Sequence, residues 1–204
     1  MNPDILSDVL RSVRLRAAVF YYLSCGPRWA AEAPPAAEIA AAVMPGAEHV
    51  MEFHVVTKGG GWAALLGEPP VPLAEGDILM FPHGDAHVLS SHPGLPPQRF
   101  GAEWTIAHAG DPRPILLNPG APPLPTPTST PAADAETHVV CGFLGCDLRP
   151  YNPLVATLPR LLHLRATGDS AWIAASLERA VPASTHPRPG SQVVLERISD
   201  TMFA

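Results

Sequence analysis

Lysine is almost missing from this chain: Lys58 is the only one in 204 residues, and 13 Lys plus Arg stand against 19 Asp plus Glu. A protein that grips phosphate backbones needs a dense basic face, so the balance speaks against direct nucleic-acid binding by these residues. Cysteine is scarce too, and three cysteines, an odd number, give no disulfide framework and fit a reducing compartment. No apolar run approaches membrane-spanning length, and the N-terminus lacks a charged segment followed by a hydrophobic one. The expectation is a cytoplasmic protein with no membrane partner. Common catalytic signatures are absent as well: there is no G-x-S-x-G, no H-E-x-x-H and no P-loop. The run Gly59, Gly60, Gly61 has Lys58 before it rather than after it, and reads as a turn.

What the chain does have is apolar bulk. At 47% hydrophobic content it can bury one good core, with room for a small helical appendage. Ile5, Leu6, Val9, Leu10 and Val13 follow Pro3 and Asp4 at helical spacing, which predicts a helix over residues 4–13 with Arg11, Arg14 and Arg16 on a solvated edge. Residues 15–25, LRAAVFYYLSC, predict the first strand, ended by Gly26 and Pro27. The alanine-rich residues 30–44 are open between helix and loop, because Pro34 and Pro35 interrupt them. Residues 49–57 and the segment GWAALLG read as two strands of a hairpin around the three glycines. Two further strands are predicted around Gly76 within residues 71–90. Another is predicted over residues 100–108, where Trp104 and Ile106 alternate with Glu103 and Thr105.

Beyond Asn118 the pattern changes. Residues 118–137 are rich in proline and poor in apolar side chains, which predicts a flexible surface loop. Strand character returns at residues 138–147. Three helices are then expected, starting near Pro153, at Asp169 and Ser170, and at Gly190 and Ser191. In the third, Val194, Ile198 and Met202 form an apolar stripe beside Glu196, Arg197 and Asp200, suited to packing, dimerisation or coupling.

The most informative stretch is GDILMFPHGDAH, residues 76–87, which fits G-x5-P-x-G-x2-H. The segment EGD is a turn, ILMF a short buried strand, and Pro82 with Gly84 bends the chain so that His87 faces inward. This pattern resembles the second signature motif of the cupin superfamily. The succession LSDVLRSVRLRAAVFYYL, FHVVTKGGGW, GDILMFPHGDAHVLS, VVCGFLGCD, TLPRLLHL, AWIAASL and VLERISDTMF extends the likeness. It is similar to the N-terminal ligand-binding domain of AraC-type transcription regulators over nearly the whole chain.

That resemblance implies a mainly β fold, a cupin-type double-stranded β-barrel (jelly roll) with an N-terminal helix and a C-terminal helical subdomain. The division is 1–150 for the barrel and 151–204 for the helices, with Trp29 packing across the barrel end. It also implies a regulatory, effector-sensing homodimer rather than an enzyme. DNA would be reached only through a helix-turn-helix domain that such regulators carry after the last helix matched here.

Metal-binding cupins typically resemble G-x5-H-x-H-x3,4-E-x6-G in their first motif. Counting back from Gly59 puts Glu52 at the glutamate, but Pro45 and Ala47 stand where the histidines would be. A substitute site can be assembled, since Glu52 and His54 lie two apart on one strand and face the same way, with His87 approaching from the second motif. In the resembling regulators the histidine of the FHVV segment, the histidine ending the second motif and the cysteine before Gly142 recur, which points to His54, His87 and Cys141 as metal ligands. That set of sulfur and imidazole suits zinc. Cys146 lies five residues from Cys141, on the opposite face of a regular strand, and reads as a packed side chain. Glu52, His54, His83 and His87 are the candidate contacts for a small-molecule effector, with His49 and Asp85 behind them. The alternatives are a metal-dependent cupin enzyme, such as a dioxygenase or isomerase, using Glu52, His54 and His87, and a stand-alone binding cupin without chemistry.

Overall fold

The computed structural model describes residues 16–108, 115–117, 137–147, 153–167, 172–173 and 175–176. Strand β3 (His49–Lys58) shows how the sequence builds the fold. Val50, Glu52 and His54 alternate with Met51, Phe53 and Val55, and all six are buried. A strand buried on both faces has to lie inside a sheet that is covered on both sides. Accordingly β3 is flanked by β6 (Ile78–Phe81) and β10 (Thr137–Cys146). With β1 (Arg16–Cys25), β9 (Ile115–Leu117) and β11 (Leu162–Leu164) they form a six-stranded sheet of order β11-β6-β3-β10-β1-β9. The second sheet comprises β2 (Ala30–Ala33), β4 (Gly60–Leu65), β5 (Val71–Ala74), β7 (His87–Ser90) and β8 (Gln98–Arg99), in the order β5-β4-β7-β2-β8. Pro72, which cannot donate a ladder bond, lies on edge strand β5.

The two faces of the large sheet define two cores. Leu23, Val50, Leu79, Phe81, Val139 and Phe143 point toward the second sheet and pack with its Ala31, Ala63, Leu65 and Leu89. Helix α1 (Ala36–Val43) contributes Ile39 and helix α2 (Ala102–His108) contributes Trp104 to this inner core. On the other face Met51, Phe53, Val55, Ile78, Met80, Val140 and Leu144 pack with Val155 of helix α3 (Pro153–Thr157) and with Ile173. Cys141 belongs to the inner core and Cys146 to the outer one, as their five-residue separation requires.

Several expectations are corrected. The segments β3 and β4 are not a hairpin: β3 pairs with β6 and β10, whereas β4 pairs with β5 and β7. The chain changes sheets at Gly59, whose φ of 75° is the left-handed conformation that glycine tolerates. Residues 71–90 hold three strands, not two, divided between the sheets. Residues 102–108 are a helix rather than a strand. Neighbouring Trp104 and Thr105 are both buried while Ile106 is exposed, and the Thr105 N–H donates to the Gly101 carbonyl, four residues back, at 3.1 Å. The ambiguous stretch after Trp29 splits into β2 and α1 at Pro34 and Pro35. The short strand β11, absent from the sequence reading, pairs Leu162, His163 and Leu164 with β6. The expected helices over residues 4–13 and 190–203, and the proline-rich loop up to residue 136, lie outside the described residues. No helix among the described residues is long and apolar enough to cross a membrane.

Candidate functional site

Register places the polar residues of the inner core. Glu52 and His54 stand on the inner face of β3, opposite Phe81 and Leu79 of β6 and opposite Phe143 and Cys141 of β10. His87 begins β7 on the facing sheet, paired with Ala33 and Leu65. The second motif aims it. Gly84 takes a φ of 66°, and a Cβ there would lie 2.8 Å from both the Ala36 Cβ and the Val50 carbonyl oxygen, so only glycine lets the bend close.

The three side chains meet between the sheets. His54 Nε2 lies 2.6 Å from His87 Nε2, and Glu52 Oε2 lies 3.8 Å from His87 Nε2. One ligand atom from each of the three falls within 4.8 Å of the others, and the residues are only 3%, 5% and 1% exposed. Hydrogen bonding fixes the tautomers. His87 Nδ1–H donates to the Asp85 carbonyl at 2.9 Å, leaving its Nε2 as an acceptor. His54 must then supply the proton of the short contact through Nε2–H, and its own Nδ1 is a buried lone pair with no partner. Glu52 Oε1 is likewise buried without a partner. Phe81 stacks on the His87 ring at 3.6 Å and 11°.

Burial makes this cluster neutral. It pushes the Glu52 carboxyl up to about 8 and the His87 imidazole down to about 4, the latter despite the bond to the Asp85 carbonyl. His54 is lowered well below its ordinary value by burial and by neighbouring His87. The cluster lines a cavity of about 70 Å³, whose walls are otherwise mostly apolar, among them Leu23, Ile39, Leu89, Phe100 and Trp104.

As a donor set, two imidazoles and a carboxylate match zinc and non-haem iron centres. His87 also has the outer bond that orients a ligating histidine. Metal–nitrogen bonds of about 2.0–2.1 Å in tetrahedral geometry need the two nitrogens about 3.3 Å apart. From 2.6 Å, the rings would have to separate by roughly 0.7 Å, and both of them line the cavity. A Glu52 carboxylate oxygen is the third donor, so the residues fit a divalent cation.

Other expected site residues fall differently. Cys141 lines the same cavity but stands outside the three-residue group, and burial followed by the nearby Glu52 raises its thiol well above the ordinary value. His83 is exposed and turned away, its Nε2 donating to the Leu158 carbonyl at 2.9 Å. His49 bonds the Pro82 carbonyl at 2.6 Å. Asp85 receives a bidentate bond from Arg160, at 2.8 and 3.2 Å, which holds its carboxyl below the usual range. In the sequence Asp77 is simply part of the turn EGD. Burial acts to raise its carboxyl, but the bonds it accepts from the Ala74 and Ala166 N–H groups and from His163 Nε2 together lower it. An acid between two strands carries no sequence signal of so distant a partner.

No curated protein matches the chain at a significant level. The cupin family model matches residues 4–204, which is nearly the full length. Two facing sheets, the motif bend and the His/Glu cluster between the sheets agree with that match, and the chain belongs to the cupin family.

Proposed function

We propose that this cupin is an effector-sensing domain of the kind found in AraC-type regulators, which binds a small molecule in the cavity between its sheets without converting it. The observation that carries the reading is the cavity itself: mostly apolar walls with a few polar groups among them, the usual make-up of a small-molecule site. Recognition needs such groups unpaired and waiting, as the Glu52 oxygen and the His54 Nδ1 are. The AraC-type resemblance supplies the expected homodimer. No DNA contact is assigned to these residues, whose net charge is −6.

In this reading Glu52, His54 and His87 hold zinc, and Cys141 is a wall of the pocket rather than a fourth ligand. Bound zinc would supply a Lewis-acidic point for an oxygen or nitrogen of the effector. The protein's part is to orient His87 through the Asp85 carbonyl and to wall the pocket with the apolar rings of Phe100 and Trp104. The same three residues support a second reading, a metal-dependent cupin enzyme, since three protein ligands would leave a bound metal free to take a substrate as well.

A thermal-shift screen of small molecules, with native mass spectrometry of the hits, tests the first reading. A ligand at about 100 times its Kd stabilises by about 2.7 kcal/mol, a Tm rise of about 5–10 °C for a chain of this size. Ala33→Phe, which fills the cavity opposite His87, should abolish that rise. A rise that survives Ala33→Phe would remove the cavity as the site. A hit recovered chemically altered would put the enzyme reading first.

A further inference from the structure

Residues 158–166 run along the outside of the second motif and fasten to both of its ends. At the start of the motif, Asp77 binds His163 Nε2 and the Ala166 N–H, both at 2.8 Å. In the middle, β11 pairs with β6, Leu162 opposite Met80 and Leu164 opposite Ile78. At the far end, two side chains of the bend before β7 point outward and are gripped: His83 by the Leu158 carbonyl and Asp85 by Arg160. The inner side of that same bend carries His87, bonded to the Asp85 main chain. Asp85 therefore faces both ways, with its carbonyl on the cavity histidine and its carboxylate on the outer segment.

The planes and directions of these contacts matter. Stacking on Phe81 fixes the plane of the His87 ring, so its remaining freedom is movement within that plane, set by the Asp85 carbonyl. A bidentate guanidinium–carboxylate pair fixes orientation as well as distance, which a single bond does not. Arg160 is half exposed, so the pair adds little to overall stability. Its consequence lies in where it holds the bend.

We infer that Arg160 is a positioning residue for His87, and that through Asp85 the state of the cavity is coupled to the segment 158–166. This rests on the reading of the cavity as a binding site. Any occupant that parts His87 from His54 moves the bend and is felt by Arg160; by reciprocity, whatever holds Arg160 biases the cavity. Coupling in both directions is what a sensing domain requires of the chain that leads away from its pocket.

The test uses the imidazole 15N resonances of His87 and His54 in the metal-free full chain, followed by a Co²⁺ titration. Arg160→Gln should shift the His87 nitrogens, and Arg160→Lys should restore them in part. Glu68→Gln removes only the longer 3.9 Å contact of Arg160 and should leave them unchanged. Co²⁺ should bind Arg160→Gln about threefold to tenfold more weakly than wild type, less than the roughly 10–100-fold cost of losing a direct outer partner. Unaltered His87 signals in Arg160→Gln, or equal shifts in Glu68→Gln, would overturn the coupling. A wild type that ignores Co²⁺ would instead remove the metal reading, and the imidazole comparison would still decide the role of Arg160.

Discussion

Glu52 is 3% exposed in an apolar setting, and the direction of its shift fixes how it acts on stability. Its folded value of about 8 lies above the ordinary 4.5, so between these limits the folded chain holds a proton that the unfolded chain has lost. Stability then falls as pH rises through that window, by about 1.4 kcal/mol per unit. His54 and His87 act oppositely: lowered in the fold, they cost stability as pH drops from about 6.5. Metal-free protein should be most stable near pH 6.5. Glu52→Gln, which keeps the shape but cannot ionise, should raise the Tm at pH 8 and lose that advantage near pH 5. Thermal denaturation at the two pH values checks this, and an equal effect at both would show that Glu52 is not a buried neutral acid. Of the site residues, Glu52 and His54 were legible because strand parity puts residues two apart on one face. His87 was legible from the bend that precedes it. His83 was not, because the bend is not a strand and parity says nothing of which way its residues point.

Among the elements, those with a strong local pattern were legible: β1, β3, β6 and β10 lie where runs of β-formers predicted them. The errors concern partners and short elements. The β-forming runs of β3 and β4 mark two strands but not which strand lies beside each, so a sheet change at Gly59 reads as a hairpin in the sequence. In α2 a two-residue alternation imitates a strand, whereas the chain is helical there and buries the neighbours Trp104 and Thr105 together. The three residues of β11 are held by Asp77 and β6, contacts that no local pattern encodes. The bend at Gly84 is the element on which the site depends. Gly84→Ala combines a left-handed backbone with two 2.8 Å contacts and should cost about 2–4 kcal/mol. Gly94→Ala has a similar φ of 76° but nothing within 4 Å, and should cost about 1 kcal/mol. Urea denaturation of the two variants measures the difference, and equal losses would mean that the closeness of the bend to α1 and β3 carries no energy.

For the molecule as a whole, the large sheet is covered on both faces, and its inner face supplies two of the three polar residues while the opposite sheet supplies the third. Neither sheet alone makes the site. The mainly β, cupin-type class was legible because a twelve-residue motif and the succession of family-like segments both pointed to it; the contents of the cavity were not, because walls such as Leu23, Ile39 and Trp104 come from distant parts of the chain. The central claim is that Glu52, His54 and His87 act together as one binding centre. Isothermal titration of zinc into metal-free protein at pH 8, for wild type and His87→Ala, tests it most directly. The account predicts one zinc per wild-type chain and none for His87→Ala with its fold retained. Zinc binding that is absent from the wild type, or that His87→Ala leaves unchanged, would contradict it.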